Sequence, residues 1–181
     1  MGTDDYAAGR MATEHLITQG CLRIAHIRGP EVATAQERLR GYADALESNG
    51  LEYRADWVVA ADRVDSGATQ HGAEAMKRLL ESSERPDAVF AFNDPLAIGA
   101  MHAALNAGLR IPEDMAFIGC GNLHFDDLLR VPLSSVDQQS AEIGRRTAQI
   151  LLDLIETKEK PASRSVILEP HLIPRASSLR R

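Results

Sequence analysis

Thr34, Glu37 and Arg38; Asp62, Arg63 and Asp65; Asn93 and Asp94; and Cys120, Gly121 and Asn122 each follow a short apolar run in this sequence. An arginine forks onto paired hydroxyls or a carboxylate, an asparagine both donates and accepts, and an aspartate accepts. Together these are the groups of a site for a small polar molecule. Each also has a purely structural use: Asn93-Asp94 ahead of Pro95 is a helix cap by composition, Arg38 suits a solvated helix surface, and Asp62, Arg63 and Asp65 read as a solvated turn. Cys120 with His124 four residues on is the one pairing that suggests a nucleophile and a base, although a short glycine-containing turn brings such side chains together without chemical purpose. Asp126-Asp127 reads as a solvated helix start. The 6 histidines (15, 26, 71, 102, 124 and 171) show no H-x-x-x-H or H-E-x-x-H spacing, so no metal is expected, and His26 is expected in the core with its ring satisfied. G-x-S-x-G, G-x-x-x-x-G-K-[ST] and a complete G-x-G-x-x-G are all missing, so neither a cofactor nor an enzyme is expected.

Those side chains matter only if strands deliver them to one place. Apolar runs at 22–29 (LRIAHIRG), 57–61 (WVVAA), 87–92 (DAVFAF) and 115–119 (MAFIG) read as strands. The unbroken apolar character of DAVFAF suits a sheet covered on both faces. Between them, apolar residues recur at helical spacing: Leu39, Tyr42, Ala43 and Leu46 within 35–49; Ala73, Met76, Leu79 and Leu80 within 66–82; and a helix over 95–107 that Pro95 opens and Gly108 closes. Helices are also expected at 6–19, with Ala8, Met11, Ala12, His15 and Leu16 on one face and Gly20 as its stop, and at 139–157, carrying Ile143, Ala148, Ile150, Leu151, Leu154 and Ile155. A last strand is expected over 165–174; VPLSSVDQQS (131–140) reads as a linker and Pro161-Ala-Ser as a short turn.

This alternation predicts an α/β fold, a parallel sheet with helices on both faces, in which ligands bind beyond the carboxyl ends of the strands. The sheet has its own crossover helices at 35–49, 66–82 and 95–107. The helices at 6–19 and 139–157 then look borrowed from a second lobe, and they are expected to pack on each other or on a second chain.

Charge narrows the function. With 26 acidic against 20 basic side chains, a net charge of −6 and 4% aromatic residues, the chain lacks the cationic footprint and the stacking rings of a nucleic-acid surface. Two cysteines far apart suit a reducing cytoplasm, and no run of about 18 apolar residues is present to span a bilayer. The opening residues have neither the positive nor the apolar region of a secretory leader.

Asp4 with GRMATEHLITQG, then RIAHIRGP, RLRGYADAL, PDAVFAFNDPLAIGAMHAALNAGLRIPEDMAFIG, PLSSVDQQSAEIGRRTAQILLDLI and IPRASS occur in order. This set resembles the effector-sensing domain of LacI/GalR-type transcriptional regulators, which has the periplasmic-binding-protein type I fold. The resemblance implies an N-terminally truncated regulator of two lobes: 1–20 a remnant of the N-lobe, 21–134 the C-lobe, 135–160 an N-lobe helix and 161–181 a return strand and tail. It implies a small polar effector, sugar-like or anionic, held between the lobes, a homodimer, and operator DNA reached only through a headpiece absent from this sequence.

Position by position, Arg38 in Arg-x-x-Gly-Tyr matches the family arginine that grips hydroxyls or carboxylates, and Asn93 and Asp94 match the pair that closes on the ligand. Thr34 falls where a small polar contact often occurs, and Asp4 at the N-lobe strand end facing the cleft. Gly119-Cys-Gly-Asn122 departs from the family's Gly-[Phe/Tyr]-Asp-[Asp/Asn], so Gly121 removes a carboxylate and leaves Asn122. Gly67 stands near the position of a sugar-stacking aromatic. Both departures open the anionic alternative, because the surroundings of Arg38 lose negative charge. A solute-binding component of a transporter shares the fold and is the alternative reading; an α/β enzyme using Cys120 is a third.

Overall fold

A computed structural model describes residues 1–61, 64, 67–157 and 165–180. The elements run β1 (Gly2–Thr3), α1 (Asp5–Thr18), β2 (Ile24–Arg28), α2 (Ala33–Ser48), β3 (Val58–Ala60), α3 (Ala68–Leu80), β4 (Ala88–Ala91), α4 (Asp94–Asn106), β5 (Ala116–Cys120), β6 (Ser134–Asp137), α5 (Ser140–Thr157), β7 (Ile167–Leu168) and β8 (His171–Ile173). Six strands form one sheet in the order β3-β2-β4-β5-β6-β8, parallel except for β8, which runs antiparallel to β6. A separate parallel ribbon pairs β1 with β7. The expected α/β fold is observed. The solvated turn at Asp62, Arg63 and Asp65 and the Pro161 turn lie outside the described residues.

Strand alternation divides the core into two layers. Ile24, Ala88, Phe90, Ala116 and Ile118 face α1 and α2, meeting Ala8, Ala12, Leu16, Tyr42 and Leu46. Ala25, Ile27, Val89, Ala91 and Phe117 face α3 and α4, meeting Met76, Leu79, Leu96 and Ala100. Small residues let the paired helices cross backbone to backbone. A Cβ on Gly9 would sit 2.1 Å from the Arg38 carbonyl oxygen, and one on Gly41 2.2 Å from that of Tyr6, so α1 and α2 interlock reciprocally. Gly72 and Gly99 do the same for α3 and α4 against Leu96 and Thr69. Gly20 and Gly108, both at φ 83°, end α1 and α4 in the left-handed conformation that glycine adopts without strain.

Three expectations are corrected. Helix α1 does not belong with α5: its Ala8, Ala12 and Leu16 are fully buried on the six-stranded sheet beside α2. Amphipathicity says that a face is covered, not by what. Residues 131–140 are not a linker, since Ser134–Asp137 pair with β5 as a fifth parallel strand. The Ser134 and Ser135 hydroxyls are satisfied there by the Arg175 carbonyl (2.9 Å) and Asp94 Oδ1 (2.7 Å), which allows a polar strand to be buried. The strand expected over 165–174 is two, because the chain leaves the ribbon at Leu168 and joins the large sheet at His171, with Pro170, which has no N–H to give a ladder, between them.

The segment after β8 stitches the sheet from below. Ser177 accepts from Ser134 N through its hydroxyl (2.8 Å) and donates that hydroxyl to the Phe117 carbonyl (2.7 Å), while Ser178 meets His15 Nε2 at 2.6 Å. Helix α5 is the exception to all this burial. Its Ile150, Leu151, Leu152 and Ile155 are exposed, Ile155 to 72%.

Candidate functional site

The carboxyl ends of β2, β4 and β5 lie side by side, and two polar clusters meet there. The first is built on Arg38, one turn into α2. Its guanidinium is 3% exposed, donates from Nε and Nη2 to Asp5 Oδ1 (2.9 and 2.7 Å) and from Nη1 to the Phe92 carbonyl (2.5 Å), and lies 4.5 Å from the centroid of the Phe92 ring. Arginine carries five N–H groups, so two remain for a ligand. The ring that supports it is seated against Gly29, where a Cβ would come 2.7 Å from Phe92 Cγ. Asp5 itself is fixed because α1 begins at that residue, capped by Asp4, whose Oδ1 accepts from Ala7 N at 2.9 Å.

The second cluster lies around the end of β5. Asn122, at φ 51°, accepts from Arg175 Nη2 (2.7 Å) on Oδ1 and donates from Nδ2 to Asp137 Oδ2 (3.1 Å). Arg175 also donates to the Leu133 carbonyl (2.7 Å), and Asp137 Oδ1 accepts from Gln139 N (2.7 Å). Cys120 joins the two clusters, feeling the charges of Arg38, Asp94, Asp5 and Asp137 from its buried position. Burial pushes its thiol up to about 12, so at neutral pH it is an un-ionised thiol and a poor nucleophile.

The sequence-derived residues separate into three fates. Arg38 and Asn93 come together, since Arg38 holds the carbonyl of the residue before Asn93. Asn93 is half-buried and caps α4, its Oδ1 accepting from Leu96 N at 3.0 Å. Asp4 and Thr34 are exposed at the helix starts nearby. Asp94 turns away: it is 0% exposed, and its carboxylate lies over Gly119 and Gly121, where added Cβ atoms would come 2.2 and 2.9 Å from its oxygens. It is a structural acid, not a cleft-facing one. Asn122 is committed on both amide atoms within its own cluster.

Sequence reasoning missed Asp5, Phe92, Asp126, Asp137 and Arg175. Asp126 is not a solvated helix start but fully buried. His26 is buried as expected, stacked between Phe90 and Tyr42 with Nδ1 2.9 Å from the Phe90 carbonyl, but its Nε2 has no partner. Among the described residues the largest groove, about 800 Å³, lies elsewhere, at the opposite end of the sheet beside Ile111, Pro112, Arg130, Val131 and Arg180. The strand-end site is therefore one wall of a cleft, not a closed pocket.

Residues 13–178 match the family described as the periplasmic binding protein-like domain. The chain belongs to that family. It is 34% identical over 177 residues to the HTH-type transcriptional repressor PurR of Aliivibrio fischeri, an alignment covering 96% of this chain and 51% of the relative. Its fold is similar to that of a transcriptional regulator CelR–cellobiose complex, with TM-score 0.86 and 35% identity over 97% of this chain and 52% of that one. A regulatory protein of the LacI family from Chloroflexus aggregans gives TM-score 0.85 and 36% identity, covering 97% of this chain and 62% of that one. The chain thus spans about half the length of the curated relatives it matches. The expected resemblance to LacI-type regulators is met by these relatives. No helix among the described residues is long and apolar enough to cross a membrane.

Proposed function

We propose that the chain is the effector-binding domain of a LacI-type transcriptional regulator, one wall of a cleft for a small, neutral, hydroxyl-rich molecule. Binding would favour one arrangement of two lobes over another and reach DNA through a headpiece outside this sequence. We assign α1 and residues 21–134 to one lobe and the 135–160 helix to the second, with the protein a cytoplasmic homodimer and not an enzyme.

One observation carries the ligand class: Arg38 is held at the cleft wall by Asp5, with two N–H groups left over. The Asp5 carboxylate cancels the guanidinium charge, which removes the physical basis for an anionic ligand. Two spare donors on a neutralised pair suit hydroxyl oxygens. The CelR–cellobiose complex among the structural relatives supports the same chemistry. The test is calorimetric titration of the regulator containing this domain with cellobiose and other neutral oligosaccharides against inorganic phosphate. A neutral sugar should bind, and Arg38→Ala should weaken it at least tenfold, the worth of about one charge-assisted hydrogen bond. Unchanged affinity in Arg38→Ala would remove Arg38 from the site, and tight phosphate binding by the wild type would refute the ligand class.

A further inference from the structure

We propose that Asp94 and Asp126 form a proton-binding site, in which one proton shared by two buried carboxyl groups holds the 121–133 loop on the sheet and its release as pH rises loosens that loop. The inference concerns this lobe alone and does not depend on which effector the protein takes.

The geometry makes the two acids unequal. Asp94, the first residue of α4, accepts from Ser135 Oγ at 2.7 Å and from Leu123 N at 3.2 Å, and it stands at a helix N-terminus, which favours negative charge. Asp126 is 0% exposed in the turn that follows β5, with its backbone tied to Leu123 and Leu133 (3.0 and 2.9 Å), yet both its carboxyl oxygens lack any ordinary donor. Its side chain is in hydrogen-bonding contact with that of Asp94. Two ionised carboxylates have nothing to donate, so that contact requires a proton, and the acid with no other donor is the one that carries it. Asp126 as the neutral acid donates to Asp94 as the carboxylate.

The surroundings offer no substitute. Arg175 is the cation facing the pair, but its donors go to the Leu133 carbonyl and Asn122 Oδ1. Asp137 on β6 is committed to Asn122 and Gln139 N, Ser135 on the same strand already serves Asp94, and Gly119 and Gly121 on the β5 side carry no side chain. His124 and Asp127, flanking Asp126 in the loop, are exposed. Burial first, and the charge of Asp94 second, push the Asp126 carboxyl up to about 7. Burial raises Asp94 as well, with its Ser135 and Leu123 donors acting against it.

The direction of the effect follows. A carboxyl held above its unfolded value stabilises the closed loop fully below the unfolded pKa of about 4, and that stability is lost as pH rises towards about 7. Loop opening should increase about tenfold per pH unit across that window and level off above it. Asn122 and Leu123 sit at the near end of this loop, so the proton would tune one edge of the strand-end site.

The test is NMR on the chain itself: carboxyl 13C shifts for Asp94 and Asp126, and amide hydrogen exchange at Leu123, Asp126 and Leu133 corrected for the intrinsic rate. The expected result is an Asp126 midpoint well above that of an exposed aspartate. Protection should fall about tenfold per unit between about pH 5 and pH 6.5 in the wild type and stay flat in Asp126→Asn, whose amide keeps a donor to Asp94. An Asp126 midpoint below about 5, which needs no variant to measure, would overturn the proposal. So would the same pH slope in Asp126→Asn.

Discussion

Removing the Asp5 carboxylate probes whether Arg38 is a preorganised binding group or an ordinary surface cation. Arg38 is 3% exposed, so in Asp5→Ala its guanidinium keeps only the Phe92 carbonyl and the Phe92 ring as partners inside the protein. Breaking a buried pair by deleting one partner costs about 3–5 kcal/mol. The Asp5 side chain is 15% exposed, so water reaches the vacated space and the lower end applies, about 3 kcal/mol. Arg38→Ala removes the stacking interaction, worth about 1 kcal/mol, and strands the Phe92 carbonyl, but Asp5 can rehydrate at the start of α1, giving about 2 kcal/mol in total. Urea denaturation of wild type, both single variants and the double variant closes a double-mutant cycle. Each single loss should be largely absent once the other residue is gone, so a coupling of about 2 kcal/mol is expected. A coupling below about 0.5 kcal/mol is that of a solvated surface pair and would refute the reasoning. Asp5→Asn adds a functional readout: with its charge uncompensated, Arg38 should make the site accept inorganic phosphate, which the wild type should not.

Gly99→Ala places a methyl 1.8 Å from the Thr69 carbonyl oxygen and should cost about 3 kcal/mol in urea denaturation, whereas Gly144→Ala, with nothing within 4 Å, should gain up to about 1 kcal/mol. Burial holds Cys21 at about 11 and Cys120 at about 12, so a thiol reagent at about pH 8 should label neither until denaturant is added; rapid native labelling of Cys120 would reopen the nucleophile reading. Burial also depresses His26 to about 4, below its unfolded value, so stability should fall by about 3 kcal/mol as pH drops from about 6.5 to about 4. Asp126 acts in the opposite sense over that window, so His26→Gln should reveal stability that declines with rising pH, and Asp126→Asn stability that climbs. The exposed Ile150, Leu151, Leu152 and Ile155 should bind a hydrophobic dye, with Leu151→Lys and Ile155→Lys together removing most of the signal.

How much of the fold was legible depended on how its strands meet the core. β2, β4 and β5 are buried on both faces, and such strands announce themselves as unbroken apolar runs between helical periods. β6 did not, because its burial is bought with hydroxyls: Ser134 and Ser135 look like turn residues until the Arg175 carbonyl and Asp94 are brought to them from 41 positions away. No local pattern contains that information. The same limit applied to α1, whose apolar stripe was evident but whose cover, the sheet and α2, depends on Gly9 and Gly41 admitting a backbone contact that spacing alone does not specify.

At the site, residue type was legible and commitment was not. Asp4 and Asp5 are adjacent and chemically identical, but the first caps α1 and the second, one residue later, reaches Arg38. Asn93 and Asp94 part in the same way, one at the rim as a cap and the other buried beneath it. The one sequence signal for that burial was Gly119-Cys-Gly121, which looked like the loss of a ligand-binding carboxylate. In the structure both glycines make room for the carboxylate of Asp94, and Gly121 also takes φ 141°, which side-chain-bearing residues rarely adopt. The inference that losing an acid there leaves Arg38 in a more positive field fails for the same reason: Asp94 lies over that spot and Asp5 is already bonded to the guanidinium. Ligand charge is set by the sum of fixed charges around the free donors, and here Asp5, a residue of the helix start and not of a strand end, decides it.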